Sequence, residues 1–198
     1  MKHLIYFSSK AVTSGKAISD AIKDKNLMKV GRIDIVCHFV IQSLFLSNSY
    51  RTDTKVHLLF YGKPDPPKHL EIQMNEDLDL SKKDIANLIK KMLYKFKEGK
   101  KIEVFPKCFI EKKSLFNLIN ELVKQDNEIF ILDKKGKDIR KEKILENSVF
   151  VIGDQNGIPK KEMRRLKKIS KVISIGSKTY FASQTSIILG NELDRQNN

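Results

Sequence analysis

The chain is 198 residues long, 40% hydrophobic and 31% charged, a balance that suits one compact folded domain and excludes an intrinsically disordered one. Its 38 lysines and arginines against 24 aspartates and glutamates leave a net charge of +14, a field that draws polyanions and makes nucleic acid the first partner to consider. No apolar run reaches the roughly 20 residues a bilayer requires, the N-terminus turns polar too early for a signal peptide, and Cys37 and Cys108 have no CxxC spacing that would suggest a disulfide scaffold or zinc site. A cytoplasmic protein without a membrane segment is expected.

Taken in chain order, short β-rich runs alternate with longer runs of helical period, the signature of an α/β fold with an open, largely parallel sheet and helices on both faces. Strands are predicted over 4–8, 55–61, 102–105, 128–132, 149–152 and 172–175. The run 33–46, interrupted by Asp34, His38 and Gln42, reads as a buried helix. The segment 62–68, Gly-Lys-Pro-Asp-Pro-Pro-Lys, cannot continue a strand or a helix, because its prolines fix φ and lack donors. Residues 69–80, with Glu71, Glu76, Asp77 and Asp79, read as a solvated loop. A helix over 82–97 follows a Ser81 cap and has a basic outer face, and Ser114 caps another with Leu115, Leu118, Ile119 and Leu122 on one stripe. A shorter helix is predicted over 181–193.

Three of these strands end in small or polar residues. The strand over 149–152 runs into Gly153-Asp154-Gln155-Asn156-Gly157, that over 172–175 into Gly176-Ser177-Lys178-Thr179-Tyr180, and that over 128–132 into Asp133. Ligands of open parallel sheets collect beyond the carboxyl ends of strands, so the three ends could form one cofactor crevice. Each taken alone is equally an ordinary strand-to-helix turn. Neither GxGxxG nor GxxxxGK[ST] occurs, which argues against a dinucleotide fold and a P-loop.

Between two of these loops, Lys160, Lys161, Arg164 and Arg165 could grip phosphates, or could simply face water. Arg32 and Asp34 open the apolar helix. They read either as a cap or ion pair, or as a charge-matched grip on a base edge or a reacting proton. Cys37 and His38, adjacent on a helix, point about 100° apart and make no nucleophilic pair. His3, His57 and His69 share no metal-ligand spacing, and no metal is expected.

Several segments in this order resemble the archaeal tRNA pseudouridine N1-methyltransferases of the SPOUT (α/β-knot) class along essentially the whole chain. They are Ala11-Val12-Thr13-Ser14-Gly15, Gly31-Arg32-Ile33-Asp34-Ile35, Val56-His57-Leu58, the proline-rich 62–68, the 153–157 loop, Tyr180-Phe181-Ala182-Ser183 and Asn191-Glu192-Leu193-Asp194-Arg195. The resemblance implies one SPOUT domain over 1–198, with a trefoil-knotted cofactor-binding part over about 128–198, an exception to the rule against knotted chains. It also implies a homodimer, tRNA as partner, S-adenosylmethionine as methyl donor, and methylation of N1 of pseudouridine at position 54 in the T-loop.

By the same resemblance Leu132, Gly153, Asp154, Ile175, Gly176, Tyr180, Ser183 and Thr185 line the donor's pocket. Where relatives have a cysteine near the end of the last loop, this chain has Thr185 or Ser186. A more distant resemblance, to the methyltransferases of rRNA pseudouridine, falls on the Arg32-x-Asp34 element and makes those two residues the catalytic candidates. An rRNA methyltransferase, or a non-enzymatic RNA-binding protein on the same fold, remains an alternative.

Overall fold

A computed structural model describes residues 1–75 and 81–196. In chain order the elements are β1 (Lys2–Ser8), α1 (Gly15–Lys23), α2 (Ile33–Leu44), β2 (Phe45–Leu46), β3 (Ser49–Tyr50), β4 (Thr54–Phe60), β5 (Lys68–Gln73), α3 (Lys82–Lys95), β6 (Ile102–Phe105), β7 (Cys108–Glu111), α4 (Leu115–Lys124), β8 (Glu128–Asp138), β9 (Ser148–Gly153), α5 (Lys160–Leu166), β10 (Lys171–Ser174) and α6 (Ala182–Gln196). Eight strands form one sheet in the order β10-β8-β9-β1-β4-β5-β7-β6, and β2 and β3 make a separate hairpin. The first five are mutually parallel, and β5, β7 and β6 extend them as antiparallel neighbours.

Strand β1 lies at the centre, and all seven of its residues are buried, as a strand covered on both faces requires. Alternation sends Leu4 and Tyr6 to one core and Ile5 and Phe7 to the other. The larger core packs α1, α2, α3 and α6 against the sheet, while the smaller takes α4 and α5 through Leu115, Leu118, Ile119, Leu122 and Leu166. Ser81 and Ser114 accept from the third backbone amide beyond them, so both predicted caps hold α3 and α4 at their starts.

The expectation of a solvated loop over 69–80 fails in its first part. Residues 68–73 form β5, with Leu70 and Ile72 wholly buried on one side and His69 and Glu71 buried on the other. The polar half of this two-residue period carries charge that elsewhere marks loops, and here cross-strand partners satisfy it. Glu71 meets Lys55 and Lys101. Glu76, Asp77 and Asp79 lie outside the described residues.

At the other edge β8 runs past its predicted end to Asp138. Its pairing with β10 jumps: Val172 sits opposite Ile131, and the next residue, Ile173, opposite Lys137. Gly136 lies at this crossing, where a Cβ would come within 2.4–2.6 Å of the Ile173 backbone. Only a residue without a side chain lets the two segments approach so closely.

Candidate active site

Beyond the carboxyl ends of β8, β9 and β10 lies a cleft of about 500 Å³ whose walls come from the three loops foreseen in the sequence. Leu132 to Lys134 form one wall, Gly153 to Ile158 the second and Ser174 to Gly176 the third, which continues through Lys178 to Ala182 and on to Thr185 at the start of α6; Tyr6 and Ile35 add to the lining from β1 and α2. That volume is in the range of small-molecule sites. Asp154 ties the second loop to the end of β1. Its Oδ2 accepts from the Ser9 amide at 2.7 Å and the Ser9 hydroxyl at 2.8 Å, and its Oδ1 accepts from the Asn156 amide at 2.8 Å. Asn156 reaches back to donate to the Ser9 hydroxyl at 3.0 Å. The carboxylate thus shapes the loop as well as lining the cleft.

At the rim, Arg32 donates twice to Asp34, from Nε to Oδ1 at 3.0 Å and from Nη2 to Oδ2 at 2.9 Å. This parallel pairing is the strong, geometrically specific form of the contact. The backbone that permits it is unusual. Gly31 and Arg32 both adopt left-handed φ, 79° and 63°, and a Cβ on Gly31 would sit 2.0 Å from the Lys10 carbonyl oxygen. A non-glycine residue held left-handed costs about 1–3 kcal/mol and persists where its surroundings over-determine it.

The Arg32 guanidinium also lies 5.5 Å from the ring centroid of Phe181, a cleft residue that is 50% exposed. Burial works to raise the Asp34 pKa, but the hydrogen bond and charge of Arg32, helped by Lys82, hold it below the usual carboxylate range. The pair is therefore a fixed zwitterion beside the cleft. Tyr6 remains a neutral phenol, its ionisation pushed up first by burial and then by the charge of Asp154.

Of the eight residues expected around a cofactor, Leu132, Gly153, Asp154, Ile175, Gly176, Tyr180 and Thr185 share this one cleft. Ser183 does not line it: the residue is buried in the first turn of α6, where its carbonyl accepts from the Ser186 hydroxyl at 2.8 Å. Lys160, Lys161, Arg164 and Arg165 are all exposed on α5, and Arg165 stacks over Phe116 of α4 at 5.6 Å. Sequence reasoning missed Tyr6, Ile35 and Phe181 as lining residues. Each sits in an apolar or aromatic run whose local pattern says only "core".

A second polar cluster lies on the α4 side of the sheet, where register brings together histidines far apart in sequence. His3 Nδ1 is 2.9 Å from His57 Nε2, His57 Nδ1 is 2.9 Å from His69 Nε2, and His69 Nδ1 is 3.1 Å from Glu111 Oε1. Burial works to raise the Glu111 pKa, but bonds from His69 and Lys113 take it down to about 2. Ionised Glu111 can only accept, so each Nδ1–H donates along the string and each Nε2 accepts, with all three rings neutral. Burial depresses all three imidazoles, His3 to about 4. His57, His69 and Glu71 bring ligand atoms within 4.8 Å of one another, but the rings spend those nitrogens on each other and Glu71 holds Lys55 and Lys101. The cluster is electrically closed without a cation.

An open α/β sheet with a ligand-sized cleft over three adjacent parallel strand ends has the architecture of the SPOUT RNA methyltransferases. The same fold is found in Nep1 of Archaeoglobus fulgidus, solved bound to S-adenosylhomocysteine, with a TM-score of 0.67 at 14% identity over 99% of this chain and 98% of that one. The chain belongs to the family described as "Putative SAM-dependent RNA methyltransferase", which matches residues 1–198. It is 31% identical to the tRNA (pseudouridine(54)-N(1))-methyltransferase of Methanococcoides burtonii over 98% of this chain and 96% of that protein. The protein of the same name from Thermococcus kodakarensis is 31% identical over 83% of this chain and 86% of its own length. Among the described residues no helix is long and apolar enough to cross a membrane.

Proposed function

We propose that this protein transfers the methyl group of S-adenosylmethionine to N1 of pseudouridine 54 in tRNA, giving N1-methylpseudouridine. The observation that carries the reading is the convergence of three loops on one cleft, with the Arg32–Asp34 pair held beside it against Phe181, in a chain related over nearly its full length to enzymes of that name. The backbone of the Gly153, Ile175 and Leu132 turns, with Tyr180 and Thr185 at the rim, would hold the donor. S-adenosylmethionine supplies an electrophilic methyl on a sulfonium centre. The resemblance supports a knotted cofactor-binding part over about 128–198 within one SPOUT domain. The resemblance further supports a homodimer acting in the cytoplasm.

Pseudouridine is joined to ribose through carbon, so its N1 carries a proton, whereas the same atom of uridine is blocked by the glycosidic bond. Selectivity therefore begins in the substrate. The base must leave its stack to reach the cleft. Asp34 is the group to accept or orient the N1 proton, because an ionised carboxylate offers about four acceptor positions and Arg32 takes one on each oxygen, with the Ile35 amide as a further donor. Arg32, with N–H groups to spare, stabilises negative charge growing on the adjacent carbonyl. Lys160, Lys161, Arg164 and Arg165 are placed to meet phosphates on the α5 side.

The test is mass spectrometry of two tRNA transcripts incubated with S-adenosylmethionine, one with pseudouridine and one with uridine at position 54. Methyl uptake by the first alone is expected. No uptake by either sinks the assignment. Methylation of small-subunit rRNA with tRNA left untouched would favour the rRNA alternative.

A further inference from the structure

The lysines of this chain fall into two populations. Across the antiparallel end of the sheet they are neutralised in place: Lys55 and Lys101 share Glu71, Lys68 and Lys112 share Asp65, and Lys113 bridges Glu111 and Glu121. Many others are exposed and make no ion pair among the described residues, and Lys10, Lys16, Lys63, Lys91 and Lys95 are five of them.

These five are not scattered. Asn156, a cleft residue, bonds to Ser9, and the next residue is Lys10. The Lys10 backbone packs under Gly62, where a Cβ would meet its carbonyl oxygen at 2.5 Å, and Gly62 precedes Lys63. The Lys63 carbonyl accepts from the Thr13 amide at 3.0 Å, which brings the turn against the segment leading into Gly15 and Lys16. Gly15 in turn abuts α3 so closely that a Cβ would lie 2.8 Å from the Tyr94 ring. Tyr94 is nonetheless 58% exposed, and it lies between Lys91 and Lys95, which stand one helical turn, about 6 Å, apart along the axis. Backbone contacts thus link the segments that bear these lysines, from the cleft rim to an aromatic ring that is pinned along one edge and open on the other.

We infer that Lys10, Lys16, Lys63, Lys91, Tyr94 and Lys95 form a second RNA-contact surface, which carries tRNA phosphates away from the cleft and stacks one unpaired base on Tyr94. The inference rests on the tRNA methyltransferase reading and extends it, because this surface belongs to the α1–α3 side of the sheet, opposite the side that carries α5. Lysines spend their charge on phosphates by releasing counterions, and an aromatic face accepts any base. Acid-paired lysines would have to break an existing contact first, whereas these five have none to break and flank both the cleft rim and an open aromatic ring.

The experiment measures binding of full-length tRNA by the full chain, saturated with S-adenosylhomocysteine, across a salt series. The triple variant Lys16→Glu/Lys91→Glu/Lys95→Glu is expected to bind about tenfold more weakly or worse, with the log–log salt slope reduced by roughly 2, the value for three lost phosphate contacts. Tyr94→Ala should weaken binding by at least about fivefold and Tyr94→Phe should not, since stacking needs the ring and not the hydroxyl. Binding of S-adenosylhomocysteine, titrated separately, should match wild type in all three variants. If the wild type binds and methylates tRNA while the triple variant keeps the same affinity and slope, this surface is wrong and the enzymatic reading stands. Wild-type protein that binds no tRNA at low salt would overturn both.

Discussion

Strand β1 begins in one polar interior and ends in another, and the two are built on opposite terms. At its start, His3 heads a string through His57 and His69 to Glu111 in which each donor has an acceptor inside the chain. At its end, Ser8 and Ser9 anchor Asp154, and the loops they hold surround a cleft of about 500 Å³. The histidine string joins four strands and its polar groups satisfy one another, so they act as structure. The cleft joins the ends of strands and presents backbone and aromatic edges to open volume, with a fixed ion pair beside it. Buried polarity alone does not mark a functional site; what separates the two is whether the polar groups complete one another.

The largest expected effect tests the closed end. In the unfolded chain an imidazole takes up a proton near pH 6.5, whereas folded His3 resists until about pH 4. Between those values the unfolded state binds more protons, so stability is fully present above about pH 6.5 and drains as pH falls. At about 1.4 kcal/mol per pH unit, His3 alone accounts for about 3 kcal/mol over this window, and His57 and His69 are depressed in the same direction. Urea unfolding at pH 6.5 and pH 5, a span in which ordinary carboxylates stay ionised, should show a marked fall in midpoint. A flat midpoint would mean the rings are charged in the folded protein and the string is not closed.

The next effect tests the open end. Asp34→Asn keeps the shape of the Arg32 partner but removes its charge and most of its basicity. Turnover on tRNA should drop by about a hundredfold or more, the usual scale for a lost proton acceptor, with affinity for S-adenosylhomocysteine within about twofold of wild type. Arg32→Lys should fall nearly as far, because an ammonium cannot reproduce the two-point contact with Asp34. Equal loss of turnover and of cofactor binding in both variants would move the pair from the open class to the closed one, an ion pair that only braces the start of α2.

What could be read from the sequence follows the same division. The loop bracketed by Gly153 and Gly157, the serine caps of α3 and α4, and the Arg32–Asp34 pair are short-range features, and neighbouring residues determine them. The histidine string was invisible because its members are 54 and 12 residues apart, and only the register of β1 on β4 and of β4 on β5 joins them. Strand β5 was hidden by its own charge: Glu71 looks solvated until Lys55 of β4 and Lys101, just ahead of β6, arrive beside it. Tyr6, Ile35 and Phe181 carry no local sign of a site, since an apolar residue facing a cleft and one facing a core share the same pattern. Ser183 is expected in the cleft only by resemblance to a motif, and its place on the first turn of α6 turns it inward.

The smallest effect concerns Thr185, one of the two positions, with Ser186, where the resemblance sets a cysteine in relatives. Thr185 lines the cleft and is only 7% exposed. Both native cysteines of this chain show what such burial does to a thiol: desolvation pushes Cys37 and Cys108 up to about 12. A thiol introduced at position 185 would be nearly as buried, though it would line the cleft, and is expected to stay protonated near neutral pH, where the protonated form is a poor nucleophile. Thr185→Cys should therefore leave turnover within about twofold and add no new limb to the rate profile between about pH 7 and 9, where an ordinary thiol ionises. A gain of tenfold or more rising with pH would show that the cleft can activate a thiolate, and would place position 185 among the reacting groups instead of in the wall.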